Sequence, residues 1–249
     1  MASSTPPDLT SQILKHERLI VAGGIALLVF LSWWFLATGA GLGDHSGSMA
    51  MPGMTAPPLP ALVLMWWLMM VAMMLPSAAP AILLYARVRA IRGDSDVAQS
   101  WVFLFGYILA WFGFSLVAAA LQQLVAGSAM ALESEFAKAG LLIAAGTYQL
   151  SPLKSACLRQ CQSPAQFISR HWRRGPAGAL RLGLLHGAYC VGCCWLLMAL
   201  LFVGGVMNFA WIAALTLLVG LEKLVPRGQW IARAMGIALI GWGAYRLLS

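Results

Sequence analysis

Long apolar stretches recur along this chain, at about Leu19 to Leu36, Leu59 to Tyr85, Trp101 to Val125, Phe136 to Leu150, Leu182 to Val203, Phe209 to Val225 and Trp230 to Leu248. A bilayer's hydrocarbon core, about 30 Å thick, takes some 20 residues of α-helix at 1.5 Å each, and a spanning segment must satisfy its own backbone hydrogen bonds. The expected fold is therefore all-α: a polytopic transmembrane helix bundle of about seven helices, forming one membrane domain over residues 1–249. The fourth stretch is short, so six is the alternative count. Pro76 and Pro80 lack a backbone N–H and should kink the end of the second helix. Composition excludes an ordinary soluble globule, since 61% of the residues are hydrophobic and 10% are charged, against about 25% charged in a typical soluble domain.

The formal charge of +8 acquires meaning once the loops are assigned alternately to the two sides. Lys15, Arg18, Arg87, Arg89, Arg92, Lys154, Arg159, Arg170, Arg173, Arg174, Arg181, Lys223, Arg227 and Arg233 fall on one side, and only Lys138 and Arg246 on the other. By the positive-inside rule the first side is cytoplasmic, which puts the N-terminus inside and the C-terminus outside. The basic charge thus reads as topology, and nucleic acid is not an expected partner. Lys15, His16 and Arg18 before the first apolar stretch resemble a signal peptide's start, but its core is longer than 7 to 15 residues and ends in Trp33-Trp34-Phe35, which suits a retained helix. Residues 39–58 become an external loop and residues 151–181 a basic cytoplasmic loop. The expected location is a cytoplasmic membrane, crossed several times, with the lipid bilayer as the first partner.

Soft donor atoms lie at three depths. Outside, His45, Met49, Met51 and Met54 sit on a Gly/Ser/Pro-rich backbone; thioether and imidazole groups with few carboxylates favour Cu(I) over hard cations. The alternative is a plain connector. Along the second helix Met65, Met69 and Met73 form one row and Met70 and Met74 another, together about 140° wide at 100° per residue and able to face both a neighbouring helix and lipid. They are packing residues or a thioether track for a soft ion.

The fifth stretch carries His186, Cys190, Cys193 and Cys194, which a helix places on one face over about 12 Å. The pattern H-x3-C-x2-CC fits a metal or redox role better than packing, although one helix does not complete a tetrahedral site and a structural zinc is the bland alternative. Gly187 and Gly192 should admit a neighbouring helix, bringing a Met of the second helix to the same centre. In the cytoplasmic segment Cys157 and Cys161 are one helical turn apart if the segment is helical, and Lys154, Arg159 and Arg170 nearby should favour thiolates suited to metal handover or thiol exchange. Reduced, unpaired cysteines are the other reading, with no disulfide expected on that side. Glu222-Lys223 reads as a local ion pair or a gate.

Tyr148-Gln149-Leu150-Ser151-Pro152-Leu153-Lys154, Cys157-x3-Cys161-Gln162-Ser163-Pro164, the string His186-Gly187-x-Tyr189-Cys190-x-Gly192-Cys193-Cys194-Trp195, Gly205-Val206-Met207-Asn208 and Glu222-Lys223 resemble a bacterial family described as predicted metal-binding integral membrane proteins. The similarity runs from about Leu59 to Arg246. It implies a bacterial inner membrane as the location and membership of a membrane family handling a metal, with copper as Cu(I) first and zinc as the alternative. The expected function is soft-metal binding and handling as a transporter, chaperone or delivery partner, with a metallochaperone or other membrane subunits as protein partners. Binding is favoured over catalysis. Two rival readings are a membrane thiol oxidoreductase exchanging electrons between Cys190/Cys193 and Cys157/Cys161, and a structural subunit of a larger complex.

Overall fold

The computed structural model describes residues 9–38, 58–92, 96–125 and 132–248. Their elements are all helical: α1 (Leu9–Ala37), α2 (Leu59–Ile91), α3 (Ala98–Val125), α4 (Glu135–Gln149), α5 (Pro152–Gln162), α6 (Pro164–His171), α7 (Gly175–Ala199), α8 (Leu201–Gly204), α9 (Phe209–Leu224) and α10 (Gly228–Leu248). The apolar stretches fall almost wholly within helices, with Leu150, Leu200 and Val225 just past a helix end. Five segments are long and apolar enough to cross a membrane: Glu17–Ala37, Leu59–Ile91, Ala98–Leu124, Gly175–Gly204 and Gly228–Leu248. Helices α4 and α9, with 15 and 16 residues, reach only about 22 to 24 Å and are shorter than the full crossings expected of them. The external loop with His45, Met49, Met51 and Met54 lies outside the described residues.

Residues 151–181, the segment between α4 and α7 with the first turns of α7, are largely helical. Ser151 caps α5 by accepting from the Lys154 N–H at 3.1 Å, and Pro152, Pro164 and Pro176 each stand in the first turn of a helix, where the missing N–H has no carbonyl to lose. Leu158, Phe167 and Ile168 are buried beneath the basic residues. The segment is a packed pair of short helices followed by the start of α7.

Helix α2 runs as one 33-residue element through Pro76 and Pro80. A proline removes the donor for the carbonyl four residues earlier, which for Pro76 is Ala72; the indole Nε1 of Trp33 on α1 donates to that oxygen at 3.1 Å. Trp66 Nε1 donates to Gln122 Oε1 at 2.7 Å and Trp67 Nε1 to the Ile108 carbonyl at 3.3 Å, tying α2 to α3. Met65, Met69, Met70, Met73 and Met74 are all at most 1% exposed, so neither Met row faces lipid. Leu19, Leu27, Phe30, Leu31 and Trp34 of α1 form an outward apolar face instead.

Small residues set the closest approaches, as dispersion packing between membrane helices requires. A Cβ on Gly183 would meet the Phe103 carbonyl oxygen at 2.1 Å, and one on Gly106 the Leu180 oxygen at 2.6 Å, so α3 and α7 lie backbone to backbone. Gly187 abuts Tyr107 and Ala110 of α3, and Gly192 faces the Cys157 sulfur of α5; the two glycines expected to admit α2 admit α3 and α5. Gly146 fits against the Gly236 oxygen and Gly243 against the Ala139 oxygen, which locks short α4 to α10. Antiparallel register follows from the contacts: Glu17 with Arg89 and Trp33 with Ala72 for α1 and α2, Gln122 with Trp66 and Tyr107 with Met74 for α3 and α2.

Gly183→Leu should lower stability by about 3 kcal/mol or more through overpacking against the α3 backbone, whereas Gly23→Leu, with nothing within 4 Å of its Cβ position, should be near neutral. Thermal unfolding of the two purified variants in detergent checks the difference.

Candidate metal centre

One group of buried polar side chains and thiols converges where α2, α3, α4, α5, α7 and α9 meet. Glu222 and Lys223 are consecutive on α9 and both buried, at 1% and 5% exposure, but residues one apart on a helix point about 100° from each other. They do not pair with each other. Glu222 Oε2 accepts from Lys154 Nζ at 2.6 Å and its Oε1 from Gln149 Nε2 at 2.7 Å, while Lys154 also donates to Gln149 Oε1. The Glu222 carbonyl accepts from Gln162 Nε2 at 2.7 Å. This buried carboxylate thus binds α4 and α5 to the end of α9.

Lys223 points the other way, into sulfur. Its Nζ lies 2.9 Å from Cys190 Sγ, 3.8 Å from Cys194 Sγ and 3.6 Å from Met74 Sδ. Cys194 Sγ is itself 3.8 Å from Met74 Sδ, and Tyr107 Oη is 3.0 Å from Cys190 Sγ and donates to the Met74 carbonyl at 3.2 Å. The Cys193 and Cys194 thiols each donate to the Cys190 carbonyl, at 3.1 and 2.9 Å. Cys161 of α5 lies close enough to Cys190 and Cys193 to interact with both electrostatically. The α7 thiols and Cys161 of α5, read separately in the sequence, are therefore neighbours, with Cys157 set against Gly192. The five cysteines are free, those of α7 buried and Cys157 and Cys161 half-buried.

The α5 thiols depart from expectation in their acidity. Hydrogen bonds to Cys190 and Cys193, then burial, push Cys161 well above the usual thiol range, and burial pushes Cys157 up as well. Basic neighbours do not offset this, because Lys154 is turned to Glu222 and Arg159 is exposed. Both thiols rest protonated at neutral pH.

His186 shares the buried face of α7 at 2% exposure but stands apart from the sulfurs in its contacts. Its ring lies among Phe103, Tyr107 and Phe167, with centroids 6.1, 5.8 and 5.2 Å away, and its Nδ1 has no hydrogen-bond partner. Met69, Met70 and Met73 are buried in the core, and of the α2 methionines Met74 is the one placed against the thiols. Among the described residues no three His, Cys, Asp or Glu side chains are arranged to hold a metal ion. The set that converges here includes a thioether and is short of hard donors, which suits the low coordination numbers and soft character of Cu(I) rather than a tetrahedral zinc site.

The family described as PpoB2, copper chaperone, matches residues 63–245. The chain belongs to this copper chaperone family. The matched region contains every residue of the sulfur cluster and excludes α1 and residues 39–58. No curated protein and no solved structure matches the chain.

Three roles around this centre are not legible in the sequence: that of Tyr107, and those of Lys154 and Gln149 as the partners of Glu222. Lys223 was visible but paired wrongly. The signal against that pairing lies in the sequence, since Val219, Gly220, Pro226 and Arg227 stand three and four residues from Lys223 and offer no carboxylate on its own face. Glu222→Gln should destabilise the fold by about 3 to 5 kcal/mol by leaving the Lys154 charge unpaired. Adding Lys154→Met should restore most of the loss, as read by thermal unfolding of the single and double variants.

Proposed function

We propose that this chain is a membrane-embedded Cu(I) carrier that holds the ion on sulfur inside the bundle and passes it to an acceptor on the cytoplasmic side. The convergence of Cys190, Cys194 and Met74 within reach of one point, marked by Lys223 Nζ, carries this reading. Thiolate and thioether donors bind Cu(I) strongly at two or three coordination, and a site of this kind needs no hard oxygen ligand. Copper is cargo here. Cys193 and Cys161 extend the sulfur path outward, and half-buried Cys161 offers the exit thiol: it exchanges in as a Cu(I) ligand while a buried cysteine leaves, so the ion is never without sulfur. His45, Met49, Met51 and Met54 would collect the ion outside, and the buried row of Met69, Met70 and Met73 lines the route inward. His186 supports the centre from its aromatic pocket.

The setting is a bacterial cytoplasmic membrane, with the N-terminus inside. Supporting it, the contacts run antiparallel between α1 and α2, α2 and α3, α4 and α10, and α9 and α7, as seven alternating crossings require. Helices α4 and α9 complete the crossing with their flanking turns. The residues past α2 at Arg92 and the α5–α6 segment then lie in the cytoplasm. A reporter joined after Arg92 should be active only in a cytoplasmic assay, and one joined between Gly43 and Thr55 only in an external assay; a common side for both would overturn the topology.

The decisive measurement is Cu(I) binding by the purified full-length protein in competition with a chromophoric Cu(I) chelator. Cys190→Ser with Cys194→Ser should weaken binding by more than about a hundredfold, because first-sphere losses exceed the tenfold to hundredfold cost of outer-sphere changes. His186→Ala should weaken it by about tenfold or less. Cys161→Ser should leave affinity close to wild type and slow transfer of the bound ion to an added thiol acceptor. Wild-type affinity in the Cys190/Cys194 variant would refute the carrier. The thiol oxidoreductase reading draws on the contact of Cys161 with Cys190 and Cys193, and it requires thiol oxidation in the same protein without metal.

A further inference from the structure

The buried ammonium of Lys223 is the part of the centre that copper binding alone does not call for. Other buried charges of the core have opposite charges beside them: Lys154 has Glu222, and Arg89 has Glu17. Among the described residues Lys223 makes no ion pair with a carboxylate. Its neighbours are the Cys190 and Cys194 thiols, the Met74 thioether and, beyond Cys190, the Tyr107 hydroxyl. A lysine held at 5% exposure without a carboxylate is costly in a low-dielectric interior, and such a residue in a membrane helix marks function.

We propose that Lys223 is a placeholder cation and charge selector: it occupies the sulfur centre when no metal is bound and confines the site to monovalent soft ions. This rests on the carrier reading above. The ammonium Nζ stands between the sulfurs that would take the metal, so it keeps them converged and hydrogen-bonded in the empty protein. Loading forms two Cu–S bonds, at Cys190 and Cys194; the thiol protons these sulfurs carry leave to water, and no electron changes hands. The four-carbon stem of Lys223 lets the ammonium withdraw from between the sulfurs while staying beside them. Cu(I) with two thiolates carries one negative charge, which Lys223 cancels. Zn(II) with the same two thiolates is neutral, and the ammonium beside it would leave an uncompensated positive charge in the bundle. The lysine thus favours Cu(I) or Ag(I) over divalent ions by charge, at a site whose sulfur donors alone also accept zinc.

The test compares affinities of full-length wild type, Lys223→Met, Lys223→Gln and Lys223→Arg in lipid nanodiscs, for Cu(I) and for Zn(II), each against a chromophoric chelator. Wild type should favour Cu(I), and Lys223→Met should reduce the ratio of Cu(I) to Zn(II) affinity at least tenfold, about 1.4 kcal/mol. Lys223→Gln should show the same fall, and it serves where the Met variant does not fold. Lys223→Arg, which keeps the charge, should hold the ratio within about threefold of wild type. A wild-type ratio in the neutral variants, or a loss in Lys223→Arg equal to theirs, overturns the assignment. Failure of the carrier reading looks different: Cu(I) affinity would then be indifferent to Cys190→Ser with Cys194→Ser, whatever happens at Lys223.

Discussion

The end of α9 carries two charges that the core must satisfy separately, and most of the centre is arranged around that requirement. Glu222 and Lys223 are buried in one helical turn, yet their side chains leave the helix about 100° apart. Glu222 gathers Lys154, Gln149 and Gln162 from α4 and α5, whereas Lys223 gathers sulfur from α2 and α7. Because Glu222 holds α5 against α9, Cys161 on that same short helix is brought to the α7 thiols. The ionic contact on one side of α9 therefore positions the soft-donor contact on the other.

Close helix packing supplies the second condition. The sulfur cluster forms only if α7 approaches α3 at backbone distance and leaves room for the Cys157 side chain of α5, and Gly183, Gly187 and Gly192 provide that space on successive turns of one helix. Side chains at these positions would push Tyr107 and Cys157 away from the cysteines they touch or face. Without a hydrophobic drive between helices in lipid, such dispersion contacts and buried hydrogen bonds carry the association. The same residues that stabilise the bundle thus determine how near the donor atoms come.

Donor chemistry and electrostatics then select the cargo class in the proposed mechanism. Sulfur ligands on a dry face suit a soft ion, and a fixed positive charge beside them disfavours a second unit of metal charge. The half-buried position of Cys157 and Cys161 also fits a handover role, since an acceptor can reach them where the α7 thiols are buried. Capture inside and release at α5 are thereby ordered by environment rather than by residue type.

Hydropathy and helical periodicity made the helical bundle legible in the sequence, including the buried face shared by His186, Cys190, Cys193 and Cys194, because length and apolar spacing are local properties that lipid enforces on each helix. The Ser-Pro starts of α5 and α6 were equally local, and were masked by the basic residues around them. Tertiary structure alone decided which donors meet: it joined Cys161 and Met74 to Cys190 and Cys194, set His186 among aromatic rings, and gave Lys154 rather than Lys223 to Glu222. The Lys154–Glu222 and Met74–Cys194 pairings span 68 and 120 residues of chain, and all of them depend on which helix faces abut and how closely glycine lets them come. Composition and periodicity carry no information about that register, because many arrangements of the same amphipathic and apolar faces bury them equally well.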